Sequence, residues 1–161
     1  MARQDPDADI QRDGRQETAN ERSDRNWNEI VQELRVTQTG TQILTGFLLT
    51  VAFQARFAML DPFQKGTYLV LVGLAVAATA LGLAPVSLHR ALFRRRAKGE
   101  AVRMADRFLR ATLTAVAILV VGVVLFIVDV VVGRTAGVVA GAATVVAIAS
   151  VWLLVPLRAR R

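Results

Sequence analysis

Four apolar blocks, each about 20 residues long, follow one another between Thr41 and Leu157. That repeat constrains the chain more than any other feature. About 20 apolar residues at 1.5 Å per residue are what a helix needs to cross the hydrocarbon core of a bilayer. Inside that core every backbone N–H and C=O must be satisfied within the protein, which selects helices for blocks of this kind. The sequence therefore predicts an all-α membrane protein with four transmembrane helices, over about residues 41–60, 67–88, 109–132 and 135–157, preceded by an amphipathic N-terminal helix.

The N-terminal part divides in two. Residues 1–25 hold Asp, Arg, Gln and Glu with almost nothing apolar. They bury too little surface to offset the entropy of ordering and are expected to be disordered. From Trp27 the pattern changes: Trp27, Ile30, Val31 and Leu34 fall at i, i+3, i+4 and i+7, one helical face. Asn26 with Glu29 three residues later has the form of a capping box. Residues 26–37 are expected to form a short amphipathic helix. Its apolar face has two candidate surfaces, the inner membrane interface or the protein's own loops. Residues 38–161 then make up the four-span domain. The first 40 residues contain no apolar stretch of the signal-peptide kind, so insertion is expected to begin with an internal span.

Composition narrows the function. With no cysteine and one histidine, His89, the chain offers no thiolate site, no disulfide and no full His-based triad. No metal, cofactor or enzyme activity is expected. The net charge of +7 comes mainly from arginine placed beside apolar blocks. That placement suits a membrane surface and argues against nucleic acid as a partner. The segment after the second block carries Arg90, Arg94, Arg95, Arg96, Lys98, Arg103, Arg107 and Arg110, and the C-terminus carries Arg158, Arg160 and Arg161. The other two loops carry only Lys65 and Arg134. By the positive-inside rule the basic sides face the cytoplasm, and an even number of spans puts both termini there, in a multi-pass protein of the cell membrane. Arg94, Arg95 and Arg96 are the expected contacts to anionic lipid headgroups.

Polar residues inside the apolar zone are the best leads to function, because hydrocarbon penalises them. Gln38, Gln42, Thr45, Gly46 and Arg56 share one face of the first block, with Thr50 and Gln54 beside it. That face is expected to be buried against other helices, other subunits or a wet cavity. Arg56 and Asp129 lie at matched depth, each four residues from the same surface, and are expected to pair. Two roles are open for the pair: a salt bridge that ties spans one and three, or an ion or proton site. Asp61-Pro62 is expected to end the first span, and Pro85 to kink the second or loosen its last turn. Gly133, Gly137 and Gly141 recur every four residues, a groove into which another helix can pack, within or between subunits. Gly73 with Ala77, and Ala78 with Gly82, repeat that spacing on the second span.

Leu34-Arg35-Val36, Gly40, Gln42, Phe47-Leu48-Leu49-Thr50, Phe53, Arg56-Phe57, Gln64, Tyr68, Ala84-Pro85, His89-Arg90 and Phe93-Arg94 together resemble a bacterial family of uncharacterised small four-helix membrane proteins, frequent in actinobacteria. The resemblance covers about residues 30–132. Some members carry the label sodium:proton antiporter. The resemblance implies that the features around Arg56 and His89-Arg90 belong to the family's design, and it supplies no mechanism. The spans lack Asp and Glu near their midplanes, where coupled antiporters hold their ions. The expected function is a non-catalytic membrane component that forms a homo-oligomer or binds a partner. The alternative is a proton or monovalent-cation transporter or channel built by an oligomer.

Overall fold

The computed structural model describes residues 18–92 and 98–159. Residues 1–17, the Arg94–Arg96 cluster and the terminal Arg160 and Arg161 lie outside the described residues. The order of elements is α1 (Ala19–Val51), a short 3-10 helix (Ala55–Met59), α2 (Pro62–Leu92), α3 (Lys98–Val131) and α4 (Arg134–Ala159). Among the described residues there is no strand. α3 is the hub, packing against α1, α2 and α4, and α1 also packs against α2.

Among the described residues three helices are long and apolar enough to cross a membrane: Pro62–Ser87, Val102–Val131 and Arg134–Leu154. The first block is not among them: by length and composition three helices, not the expected four, are apolar enough to span. Its α-helix stops at Val51, and Ala52, Phe53 and Gln54 turn the chain into the 3-10 helix. The cause is composition: Gln38, Thr39, Thr41, Gln42, Thr45 and Thr50 dilute the apolar residues, although residues 36–55 contain no Asp, Glu, Lys or Arg. The threonines are locally satisfied. The hydroxyls of Thr37, Thr41, Thr45 and Thr50 donate to the carbonyls of Glu33, Thr37, Thr41 and Gly46, at 2.7–2.9 Å. Bonding to the carbonyl four residues back hides a hydroxyl from an apolar medium.

The N-terminal reading also changes. α1 is continuous from Ala19, so no separate helix spans 26–37, and residues 19–25 are helical. The cap is Thr18. Its hydroxyl accepts from the Glu21 N–H while the Glu21 carboxylate accepts from the Thr18 N–H, a complete capping box eight residues before the expected one at Asn26. Both T-x-x-E and N-x-x-E have the right spacing, and the helix starts at the earlier one because nothing between them breaks it. Of the apolar face expected to lie on a surface, Leu34 is buried and Trp27, Ile30 and Val31 are half-buried.

The core is a column of Leu48, Leu60, Tyr68, Leu71, Ala75, Leu119, Val123 and Phe126, contributed by α1, the α1–α2 connection, α2 and α3. Phe57, Tyr68 and Phe126 stack through it, with ring centroids 5.0 Å and 6.2 Å apart and the first pair edge to face. Pro85 is fully buried and does not end α2, which continues to Leu92. α3 and α4 turn at Gly133, whose φ of +131° is the left-handed region that favours glycine.

Candidate functional site

The polar residues of the apolar zone gather where the α1–α2 connection meets the α3–α4 turn. Asp61 is the N-cap of α2: its Oδ1 accepts from the Gln64 N–H at 2.8 Å, and Gln64 Oε1 accepts from the Asp61 N–H at 3.1 Å. Pro62 follows as the first helical residue, where its missing N–H costs nothing and its fixed φ suits the helix. Asp61-Pro62 thus starts α2 rather than ending α1, which stops ten residues earlier.

Asp129, in the last turn of α3, is buried with 3% of its side chain exposed. Its partner is Arg134, the first residue of α4: Arg134 Nε donates to Asp129 Oδ2 at 3.0 Å. The same guanidinium reaches α2, with Nη2 donating to Asp61 Oδ2 at 2.8 Å, and lies over the Phe63 ring at 3.7 Å from its centroid. One arginine therefore holds the end of α3 and the starts of α4 and α2. Two carboxylates and one guanidinium form a charge-assisted cluster, with the aromatic face adding a cation–π contact.

Arg56 does not pair with Asp129. It is exposed on the 3-10 helix, and its Nη2 donates to the Val130 carbonyl at 3.1 Å. Val130 is in the last turn of α3, whose carbonyls lack intrahelical partners, so a cation there both bonds the backbone and suits the helix dipole. The expected pair failed because depth along a helix does not fix direction around it. Arg134 is five residues from Asp129 and the turn at Gly133 folds it back, so it reaches the carboxylate first. The arginine five residues on and the D-P-x-Q run at Asp61–Gln64 were readable signals for this cluster.

Beside Arg56 an open apolar groove of about 200 Å³ lies between α1 and α3, lined by residues that include Phe47, Val51, Phe57, Ile127 and Val130. It forms where the end of α1 leaves α3 uncovered.

The glycine row is used within the chain. A Cβ on Gly137 would lie 2.8 Å from the Leu125 carbonyl oxygen and 2.9 Å from the Asp129 backbone nitrogen, and one on Gly141 would lie 3.3 Å from the Leu125 side chain. α4 approaches the backbone of α3 through these two glycines, so they do not form an open groove for another subunit. Gly133 has nothing within 4 Å and serves the turn. On α2, Ala78 and Gly82 are buried, Gly82 against Gln38 of α1, whereas Gly73 and Ala77 are exposed.

The polar face of α1 turns the other way from expectation within the chain. Thr41 is buried and Thr45 half-buried, but Gln42, Gly46, Thr50 and Gln54 are exposed. The buried line is Leu34, Thr41 and Leu48, spaced by seven. Leucine at two of these three positions buries more apolar area than glutamine could, so packing rotates Gln42 outward.

Among the described residues no three His, Cys, Asp or Glu side chains are grouped to hold a metal ion. At the opposite end of the bundle Arg103, Arg107 and Arg110 are exposed on α3, Arg110 in an ion pair with Asp106, and Arg158 is exposed on α4. No curated protein and no solved structure matches the chain. Residues 16–156 match DUF6328, a family of unknown function, and the chain belongs to that family.

Proposed function

We propose that this chain is a non-catalytic, multi-pass component of the cell membrane that works by assembling with further helices, with both termini in the cytoplasm. The observation that carries this reading is the outward face of α1. Gln42, Gly46 and Thr50 point away from the bundle at the level where Leu48 packs inward on it. A carboxamide facing lipid has no acceptor or donor to meet, so a polar face at this depth calls for protein against it.

The same picture supports a complete first crossing. Gln38 meets Gly82 and Leu48 joins the column with Leu71, so α1 runs alongside the apolar part of α2. Arg103, Arg107, Arg110 and Arg158 are exposed at one end, and by the positive-inside rule that end is assigned to the cytoplasm, with anionic headgroups as its contact. The Asp61–Arg134–Asp129 cluster is read as structural: its carboxylates are neutralised by an arginine that fixes three helix ends.

The test is reconstitution of the full chain in lipid nanodiscs, with mass measurement, together with proton and sodium flux in liposomes. The expected result is an assembly larger than one chain and no flux above empty liposomes. A monomer at all concentrations overturns the reading. Flux abolished by Asp129→Asn replaces it with the proton or cation transporter.

A further inference from the structure

Seen as a helix, α1 carries two parallel lines with a 3.5-residue repeat. Leu34, Thr41 and Leu48 recur every seven residues and are buried in the bundle. Roughly a third of a turn around the helix, Asn28, Gln32, Arg35, Thr39, Gln42 and Gly46 are separated by four, three, four, three and four residues, and all six are exposed. Leu49, three residues further on, continues the line and is exposed too. Alternating steps of four and three are the a and d positions of a heptad repeat, the seam along which two helices supercoil left-handedly.

From this we infer that α1 joins a second copy of the same chain as a parallel pair, in register, along this seam. The inference rests on the assembly reading above and names its partner. Three features select a second copy. First, two copies inserted by the same charge rule have the same orientation, so their α1 helices are parallel, the arrangement that brings like a and d positions together. Second, the composition inside the apolar zone is self-complementary. Gly46 lets two backbones approach, and Gln42 carries both amide donors and a carbonyl acceptor, so two Gln42 side chains across a two-fold axis satisfy each other. Among the described residues the Gln42 side chain has no hydrogen-bond partner. Third, the seam continues for about two turns toward the cytoplasmic end as Asn28, Gln32 and Arg35, where water replaces lipid. The guanidinium of Arg35 lies at the surface between these halves, so its apolar stem packs while its charge reaches out to headgroups.

The seam is polar where a water-soluble dimer would be apolar. That inversion is what a membrane favours: lipid already solvates leucine, and hydrogen bonds with close backbone contact supply the attraction between helices.

The chain has no cysteine of its own, so single cysteines report contacts without a background. In vesicles of phosphatidylethanolamine and phosphatidylglycerol, Thr39→Cys, Gln42→Cys and Gly46→Cys should form disulfide-linked dimers on oxidation. Val36→Cys, Ile43→Cys and Phe47→Cys, exposed on the same helix beside the seam, should form them several-fold less. Gln42→Leu should weaken association about tenfold, as expected for one interhelical amide hydrogen bond in a membrane. Circular dichroism checks that each variant keeps its helices. Cross-linking equal at all six positions, or strongest at 43 and 47, overturns the seam. A multimer by mass with no link at positions 39, 42 or 46 overturns the seam and leaves the assembly reading standing. A monomer by mass overturns both.

Discussion

Arg134 Nε and Asp129 Oδ2 are 3.0 Å apart across the turn at Gly133, so the end of α3 and the start of α4 are joined by a charge pair as well as by the chain. Asp129 is buried and Arg134 is roughly half-exposed, at 43%. The pair therefore lies between the surface case, where ion pairs contribute little, and the buried case, where removing one partner strands a charge.

Arg134→Gln should cost about 3 kcal/mol, because it leaves the Asp129 carboxylate buried without its cation. Asp129→Asn should cost less, since the amide oxygen still accepts from Arg134 and no charge is stranded. The double variant should be more stable than Arg134→Gln alone. Thermal unfolding of the four proteins in detergent gives the coupling, expected at about 1–3 kcal/mol.

Arg56→Gln should be mild, about 1 kcal/mol, the cost of one hydrogen bond to the Val130 carbonyl. Combined with Asp129→Asn, its effect should be additive, because the two residues share no bond. A measured coupling as large as that of Arg134 would refute the assignment of Asp129 to Arg134.

The glycines of α4 should differ in a set order. Gly137→Ala places a methyl against the backbone of α3, which cannot move aside, and should cost about 1–3 kcal/mol. Gly141→Ala meets the flexible Leu125 side chain and should cost less. Gly133→Ala strains the turn, at about 1–3 kcal/mol. None should alter the assembly state measured in nanodiscs, and a change of state with intact stability would return these glycines to a subunit interface.

The start of α1 should loosen in acid. The backbone N–H of Thr18, and after it the Thr18 hydroxyl, hold the Glu21 carboxyl below its ordinary value of 4.5. The folded carboxylate binds its proton less tightly than the unfolded one. Its stabilising effect is therefore present above the ordinary value and is lost as pH falls through the lower, folded-state value. Amide exchange at residues 19–22, compared with residues deeper in α1 at the same pH to remove the intrinsic rate, should gain on them as the pH falls below the ordinary carboxyl value and through the lower, folded-state one. Thr18→Ala should abolish that pH dependence, and exchange that tracks the rest of the helix at every pH would count against the box.

Local features were legible in the sequence. The apolar runs of α2, α3 and α4 lie where their lengths put them, because helix formation follows from composition over a few turns. The turn at Gly133 and the tight approach through Gly137 and Gly141 follow from residues whose missing side chain matters wherever they sit. Only tertiary structure decided the rest. Whether Asp129 meets Arg56 or Arg134, whether the glycine row serves its own chain or another, and which way Gln42 points all depend on the rotation of each helix about its axis. That rotation is the outcome of many small packing contacts summed over faces far apart in the chain, with Leu34, Thr41 and Leu48 deciding it for α1. A periodic pattern shows that a helix has two unlike faces; the neighbours determine which one turns inward.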